Sequence, residues 1–243
     1  MAILEVGAGK QFYSIQKAID NAAANDEIYI YGGVYNEYIV CEKKLVLKGF
    51  PDDKENFSSY PIIYNSANIG HCFFCECIIQ NIIFIADLNL ELSDLYTLNS
   101  FVLQDSQVQN LMSKYLRYSD DETTLKEKYL VVIDSSCRFE NCIFFGSLKN
   151  GVTIVQEKSK LLAEFIHCGF YFNSYCGIFV NCKKTENKIV IKDCVLRFNQ
   201  TAMAICNKAN VAIDNTTIQN NTVQNIAMSE ESQILVNESL ISY

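Results

Sequence analysis

The chain has 243 residues, 49% of them hydrophobic, which is enough to bury a sizeable core in a single domain, 1–243. Its formal net charge of -8 argues against nucleic acid as the principal partner, because phosphate binding depends on basic surface. No apolar run approaches the roughly 18 residues of a membrane span, and no signal-peptide pattern is visible. We therefore expect a cytoplasmic protein that contacts neither nucleic acid nor membrane.

The first element in chain order is a short amphipathic helix that follows Ser14, a good N-cap residue. Its apolar residues fall on one helical face: Ile15, Ala18, Ile19, Ala22 and Ala23. Such a helix suits the open end of a solenoid, so we predict that residues 1–26 form an N-terminal cap. The first coil then begins near Glu27.

Residues 71–77, with the sequence His-Cys-Phe-Phe-Cys-Glu-Cys, place four soft metal ligands within seven residues. This number alone suggests zinc. On a strand, however, His71, Cys75 and Cys77 point to one side and Cys72 points to the other, so the four cannot surround one ion without a bend. We therefore favour burial in the core over a metal site. Because no signal peptide is visible, we expect the eleven cysteines to be reduced.

Residues 86–128 interrupt the rhythm of the chain and form a predicted insertion. Within 106–116, four apolar or aromatic residues recur at helical spacing: Val108, Leu111, Met112 and Tyr115. The acidic run 118–122 reads as a loop. Insertions in solenoids often carry binding, so we expect a protein contact here. The equally weighted alternative is a helix that packs on the solenoid wall.

Three columns of residues recur in register in the second half of the chain. The first, at steps of 26, 26, 22 and 23 residues, holds Cys142, Cys168, Cys194, Thr216 and Ser239. The second holds Asn173, Asn199 and Asn221, and the third holds Gly151, Gly177, Ala202 and Ile226. Repeats of about 20 to 30 residues indicate a solenoid. Because the first column accepts Cys, Thr and Ser alike, it most simply fills an interior position.

Each repeat contains short, alternating segments, such as 188–191 and 194–198, which are typical of strands. A unit of three short strands cannot bury its apolar face alone, so its coils must stack into a parallel β-helix. Coils about 4.8 Å apart would let an inward asparagine hydrogen-bond to the asparagines above and below it. We predict such a ladder in the second column.

The motifs around the first coil resemble those of right-handed β-helix proteins. They are Phe12-Tyr13-Ser14-Ile15-Gln16, Asp26-Glu27-Ile28, Gly33-Val34-Tyr35-Asn36-Glu37 and Leu47-Lys48-Gly49. Pectin methylesterases, pectate lyases and the wider carbohydrate-binding and sugar-hydrolysis repeat group share this order. The resemblance covers residues 1 to about 85 and about 129 to 243. It implies an all-β, right-handed parallel β-helix, pectin-lyase-like, with an N-terminal capping helix and a partly helical insertion.

The residues that catalysis in this group would need are not recognisable. A pectin methylesterase would pair two aspartates on consecutive coils, and the nearest echo is Gln104-Asp105-Ser106. The adjacent pairs Asp52-Asp53 and Asp120-Asp121 sit in loop-like sequence, unlike the paired carboxylates of a hydrolase.

A pectate lyase would present calcium ligands together with an arginine base. Arg138 and Arg197 fall on different coils, near Glu140 and Asp193, and read as ordinary surface charge. We therefore predict no catalytic, cofactor-binding or metal-binding residues and no cofactor, and we favour a protein that is not an enzyme.

The function we favour is a noncatalytic interaction or structural component, a scaffold in a larger intracellular protein assembly. Its contacts would run through 86–128 and through the open C-terminal coil, 235–241, and association with the cytoskeleton is one form of it. The alternative is a carbohydrate-binding β-helix or a divergent polysaccharide-active enzyme. Four tyrosines near the first coil could stack on a glycan: Tyr29, Tyr31, Tyr35 and Tyr38.

Overall fold

The computed structural model describes residues 1–51, 56–65, 70–86, 90–98, 104–115, 129–156 and 160–242. Within them, strands in three parallel sheets dominate. Sheet A contains, in spatial order, β1 (Ile3–Val6), β2 (Glu27–Tyr31), β5 (Val46–Phe50), β8 (Cys77–Gln80), β11 (Cys137–Glu140), β14 (Leu161–Ile166), β17 (Asn187–Lys192), β20 (Asn210–Asp214) and β23 (Gln233–Asn237).

The other two sheets run beside it. Sheet B contains β3 (Gly33–Asn36), β6 (Pro61–Tyr64), β9 (Ile83–Ile85), β12 (Ile143–Phe145), β15 (Gly169–Tyr171), β18 (Val195–Arg197), β21 (Thr217–Gln219) and β24 (Leu240–Ser242). Sheet C contains β4 (Val40–Cys41), β7 (His71–Phe73), β10 (Val131–Ile133), β13 (Asn150–Gln156), β16 (Cys176–Cys182), β19 (Thr201–Asn207) and β22 (Gln224–Met228). From β2 to β22, seven successive coils each contribute one strand to each sheet, as predicted.

The core is a set of ladders in which like side chains stack from coil to coil. Phe84, Phe144 and Phe170 stack with ring centroids 5.5 and 4.8 Å apart. Phe139 and Phe165 stack beside them at 5.3 Å. These distances follow from the spacing of parallel strands, about 4.8 Å, which brings identical faces of neighbouring coils into contact.

The chain turns from sheet A to sheet B through a residue with positive φ in successive coils. These residues are Asn81, Asn141, His167, Asp193, Asn215 and Glu238. Asparagine and aspartate tolerate this left-handed conformation better than most residues. Ile82, the residue after Asn81, is fully buried, which places it in the first column ahead of Cys142.

The first two columns form the predicted interior ladders. Asn173 Nδ2 donates to Asn199 Oδ1 at 2.8 Å, and Asn199 Nδ2 donates to Asn221 Oδ1 at 3.1 Å. In the first column, the Cys194 backbone N–H donates to Thr216 Oγ1 at 3.2 Å. Both ladders satisfy polar groups where the coils turn.

The third column is correct at three of its four positions. A Cβ on Gly151 would lie 2.9 Å from Asn173 Nδ2, which explains the small residue beside the asparagine ladder. At the fourth coil, however, Ile226 pairs with Met203, so Asn225 rather than Ile226 aligns with Ala202. The turn between sheets B and C holds four residues before β22 (220–223) but three before β19 (198–200), and the periodicity of the sequence hides this difference.

The predicted capping helix is α1 (Ile15–Asn21), and it is bound at both ends. Ser14 caps it by accepting from the Lys17 N–H at 3.2 Å. The Glu37 carboxylate accepts from the Ile15 and Gln16 N–H groups at 2.9 and 3.0 Å. At the other end, Lys43 Nζ donates to three carbonyl oxygens, those of Ile19, Asp20 and Ala22. Each contact matches the helix dipole.

The predicted insertion contains two short helices, α2 (Leu92–Leu98) and α3 (Asp105–Tyr115). Their apolar residues pack on the outer face of sheet B, where Leu111 is buried and Tyr115 meets Phe145 edge to face at 5.1 Å. These helices therefore pack on the solenoid wall, which was the alternative to a protein contact. A protein contact through 86–128 stays a prediction, and the acidic run 118–122 lies outside the described residues. Among the described helices, none is long and apolar enough to cross a membrane.

Candidate functional site

A groove of about 770 Å³ crosses the outer face of sheet A. Outward side chains of successive strands align along its floor, because Val46 pairs with Ile78, Ile78 with Arg138, and Arg138 with Glu164. The groove therefore runs along the solenoid axis, across the strands. It exposes the apolar side chain of Ile78 between polar neighbours.

Charged side chains of both signs line the groove. Lys44 Nζ lies 2.9 Å from Glu76 Oε2, and this hydrogen bond raises the pKa of Lys44. Arg138 pairs with Glu140 in its own strand and lies 3.8 Å from Glu164 in the next coil. These pairs are largely exposed, so they contribute little to folding and remain accessible to a polar ligand.

An aromatic platform, formed by Tyr29, Tyr31 and Phe50, adjoins the groove on the same face of sheet A. The Tyr29 and Phe50 rings stack with centroids 5.4 Å apart and an interplanar angle of 16°. Phe50 belongs to β5, the strand that also supplies Val46 to the groove floor, and its side chain is exposed. Sequence reasoning missed Phe50, although its alternation with Val46 and Lys48 places it outward.

Cations and a carboxylate hold the platform in place. Lys48 Nζ lies 5.6 Å from the Tyr29 centroid, and Lys10 Nζ lies 3.7 Å from that of Tyr31. The Tyr31 hydroxyl donates to Glu5 at 2.5 Å, and this bond is the main cause of the lowered pKa of Glu5. The rings are thus fixed before any ligand arrives.

The other two tyrosines of the predicted group do not join the platform. Tyr35 is buried, and its hydroxyl donates to the Tyr31 carbonyl oxygen at 2.7 Å. The Tyr38 hydroxyl contacts Cys72 Sγ at 3.3 Å, a contact that raises the pKa of Tyr38 to about 12. Two of the four tyrosines therefore line the outer face of sheet A.

The structure also places the residues that were weighed for catalysis. Arg138 is a partly exposed, ion-paired side chain, as expected for surface charge. Arg197 is not: it is almost fully buried beneath α2, where it donates to the Leu98 carbonyl oxygen at 3.1 Å. Burial lowers the pKa of its guanidinium group. The description of Arg197 as surface charge was wrong, because the insertion covers a strand face that alternation alone leaves outward.

Of the remaining candidates, the one within the described residues is Asp105. Asp105 is the exposed first residue of α3. The pairs Asp52-Asp53 and Asp120-Asp121 lie outside the described residues.

A triangle of sulfur atoms, the thiol triangle, lies at the corner between sheets C and A in two adjacent coils. Its members are Cys41, Cys75 and Cys77. The Sγ–Sγ distances are 3.3 Å for Cys41 and Cys77, 3.4 Å for Cys75 and Cys77, and 4.0 Å for Cys41 and Cys75. The bend after β7 brings Cys75 and Cys77 together, and Cys41 joins them from the preceding coil.

The thiols in the triangle are electrostatically coupled. A thiolate at Cys41 would accept hydrogen bonds from Cys75 and Cys77, and this lowers the pKa of Cys41. The same bonds raise the pKa of Cys75 to about 12 and that of Cys77 further. The hydrogen bonds within the triangle thus favour a thiolate at Cys41 over one at Cys75 or Cys77.

His71 and Cys72, the other members of the predicted ligand group, point elsewhere. His71 is buried beside Phe84, its Nδ1 accepts from the Ile39 N–H at 3.2 Å, and burial lowers its pKa to about 4. Cys41 was missed because it lies 34 residues before Cys75, one coil earlier. Cys41 pairs with Phe73 in the neighbouring strand, two residues before Cys75. Aligning the two coils in this register is the signal that could have found it.

Comparison with known proteins agrees with the architecture. A family model described as a right handed beta helix region matches residues 129–243. The solenoid is a right-handed parallel β-helix. A comparison with curated proteins finds no match.

Two solved structures are similar to the chain. One, a pectin methylesterase in complex with a hexasaccharide, is 14% identical, covers 94% of this chain and 67% of its own, and has a TM-score of 0.55. The other, a pectin methylesterase from Aspergillus niger in deglycosylated form, is 12% identical, with coverage of 99% and 85% and a TM-score of 0.42. At 14% identity the first likeness shows the fold alone, and it confirms the predicted all-β solenoid.

Proposed function

We propose that this protein binds a carbohydrate polymer along the outer face of sheet A. The observation that carries the proposal is the stacked Tyr29–Phe50 pair on the same face of sheet A as a groove that crosses the coils. Exposed aromatic rings offer flat apolar surfaces with polar edges, which suit a sugar ring that has an apolar face and a hydroxylated rim. Soluble proteins seldom expose such rings together without a use.

The length of the groove suits a polymer rather than a single sugar. From β2 through β14, five neighbouring strands of sheet A lie side by side. At about 4.8 Å per strand they span roughly 19 Å. A chain laid along this axis would lie on the groove floor with the platform beside it, further along strands β2 and β5.

The side chains beyond the platform can bond hydroxyl groups. Lys44 and Arg138 supply donors, while Glu76 and Glu164 supply acceptors. Since these groups already pair with one another at the surface, exchanging such a bond for one to a ligand costs little. A protein of the same fold is a pectin methylesterase in complex with a hexasaccharide, which adds support to a saccharide as the ligand here.

The proposal is tested by the affinity of the full chain for soluble oligogalacturonides, xylo-oligosaccharides and cello-oligosaccharides. We expect Phe50→Ala to weaken binding of the preferred series roughly tenfold or more, because loss of one stacking ring removes about 1 to 2 kcal/mol. Tyr175→Ala is the matched control, because Tyr175 is exposed but lies outside sheet A. Equal affinity in Phe50→Ala and in the unchanged protein would refute the platform as the binding surface.

A second proposal, a noncatalytic role in a cytoplasmic protein assembly, is supported by a different surface. The last described coil exposes Leu235 and Leu240, with 60% and 49% of their surface accessible. Apolar patches of this kind mark contacts with other proteins. Affinity purification of the tagged protein would then recover a stoichiometric partner, and recovery of the protein alone would contradict this role.

A further inference from the structure

We propose that the thiol triangle is a metal site and that Cys41, Cys75 and Cys77 bind a zinc ion. The site adjoins the groove, whose lining includes Cys77, and it adds a ligand where the sequence predicted buried thiols alone. Thiolate sulfur is the ligand that selects zinc and other soft ions in proteins. Three such ligands converge here from two coils that the solenoid fold holds in fixed register.

The spacing of the sulfurs fits a tetrahedral ion. With edges of 3.3, 3.4 and 4.0 Å, a point 2.3 Å from all three sulfurs lies about 1 Å out of their plane, where 2.3 Å is the usual Zn–S bond length. A regular tetrahedral site places the ion about 0.8 Å out of that plane, and a flat trigonal site would need all edges near 4.0 Å. The triangle therefore favours tetrahedral zinc with a fourth, exchangeable ligand such as water.

The arrangement differs from the other buried cysteines of the chain. In the first column, Cys168 Sγ donates to the carbonyl oxygens of Phe139 and Ile166, and the next coils replace the cysteine by Thr216 and Ser239. Cys168 also interacts with the thiols of Cys142 and Cys194, but these stand one per coil in a single column, and Thr216 and Ser239 fill the same position without sulfur. In the triangle, all three sulfurs instead approach one another within 4.0 Å.

The surroundings of the triangle leave a path for an ion. Cys75 is only partly buried, so one corner of the triangle reaches solvent, while Cys41 and Cys77 are shielded. The Lys43 carbonyl oxygen accepts from all three thiols, at 2.5 Å from Cys75 and at 3.2 and 3.4 Å from Cys41 and Cys77. It therefore lies over one face of the triangle and leaves the opposite face for the ion.

The same lysine connects the site to the N-terminal cap. Its ammonium group binds the C-terminal carbonyls of α1, and its backbone oxygen binds the thiols. A metal ion at the triangle would fix the segment between Cys41 and Cys77 and, through Lys43, the position of α1. Zinc binding should thus stabilise the cap, and it should strengthen with rising pH because the thiols must release their protons.

The test is titration of the reduced full chain, freed of metal with a chelator, with Zn²⁺ against a chromophoric competitor. We expect one high-affinity ion per chain and a rise of roughly 5 to 10 °C in Tm at free zinc a hundred times Kd. Co²⁺ in place of Zn²⁺ should give the intense visible bands of a tetrahedral ion with thiolate charge transfer near the ultraviolet.

Variants decide which sulfurs are used. Cys75→Ser, at the partly exposed corner, should weaken zinc binding more than about 100-fold and abolish the rise in Tm. Cys168→Thr is the control, because it replaces another buried thiol with the residue type that the same column holds at Thr216. It should change neither the zinc affinity nor the rise in Tm. Circular dichroism checks that both variants are folded. Three results would each overturn the assignment. They are unchanged zinc binding in Cys75→Ser, no zinc bound by the reduced chain, and a disulfide within the triangle that persists under reducing conditions.

Discussion

Asn199 shows how one side chain can serve three coils. Its Oδ1 accepts from the Asn173 amide at 2.8 Å, and its Nδ2 donates to the Phe170 carbonyl oxygen at 3.0 Å and to Asn221 Oδ1 at 3.1 Å. Replacement by alanine would leave donors and acceptors buried without partners. The ladder is therefore a structural requirement of the fold rather than part of a site.

We expect Asn199→Ala to lower the free energy of unfolding by about 2 to 4 kcal/mol, measured by urea denaturation. The control is Asn181→Ala, because Asn181 pairs with Asn207 at the exposed edge of sheet C. That change should cost less than about 1 kcal/mol. Similar losses in both variants would contradict the role assigned to the interior ladder.

His71 predicts a pH dependence of stability. Its pKa falls from 6.5 to about 4 in the folded chain because burial disfavours the charged ring. The unfolded chain therefore binds a proton that the folded chain does not between these two values, so stability is lost as the pH falls from about 6.5 towards 4.

Compared with His71→Gln, the unchanged protein should lose roughly 3 kcal/mol more between pH 7 and pH 4. Denaturant unfolding of both proteins at several pH values measures the difference, and carboxylates common to both cancel. Parallel pH profiles would show that His71 is not a buried neutral ring.

For single residues, the sequence predicted the interior asparagine and cysteine ladders but not the aromatic platform or the thiol triangle. The asparagine and cysteine columns repeat along the chain, so periodicity reveals them. Phe50 and Cys41 belong to clusters that form only when one coil is laid on the next, so no local pattern reveals them. The prediction for Arg197 failed for a related reason. This residue is covered by α2, which lies almost 100 residues earlier in the chain.

Among the elements, α1 depends on side chains from the first coil. Glu37 binds two backbone N–H groups of its first turn and the Ser14 hydroxyl, so a carboxylate meets the positive end of the helix. The sequence predicted the helix and its Ser14 cap. It did not predict Glu37 or Lys43, because both contacts cross more than 20 residues.

We expect Glu37→Ala to destabilise the cap by about 1 to 3 kcal/mol. Amide hydrogen exchange of α1 and β1 should speed up while the asparagine ladder keeps its protection. The control is Lys17→Ala, on the exposed face of α1, which should leave amide exchange unchanged. Gln16→Ala would not serve, because the Gln16 side chain binds Val40 of the first coil. Equal exchange rates in the unchanged protein, Glu37→Ala and Lys17→Ala would contradict the role assigned to Glu37.

The insertion illustrates the limit of helical periodicity. The spacing of Val108, Leu111 and Tyr115 correctly predicted a helix with an apolar side. Spacing does not say what covers that side, so the wall of the solenoid and a second protein were equally acceptable. The structure resolves this for Leu111 and Tyr115, which are buried against sheet B.

For the whole molecule, the solenoid aligns outward side chains of distant segments into surfaces that no local motif reveals. The groove and the aromatic platform draw on strands from β2 to β14, and together they support polymer binding along the axis. The fold itself was predictable, because its repeats and first-coil motifs are written in the sequence. The surface was not, since it depends on register between coils.

The most direct test of carbohydrate binding is isothermal titration of the full chain with the oligogalacturonide, xylo-oligosaccharide and cello-oligosaccharide series, each at graded lengths. Affinity should rise with each added sugar until the fragment spans the roughly 19 Å from the platform to the end of the groove, and then level off. Absence of binding at every length in all three series, or an affinity independent of length, would contradict a polymer site along sheet A.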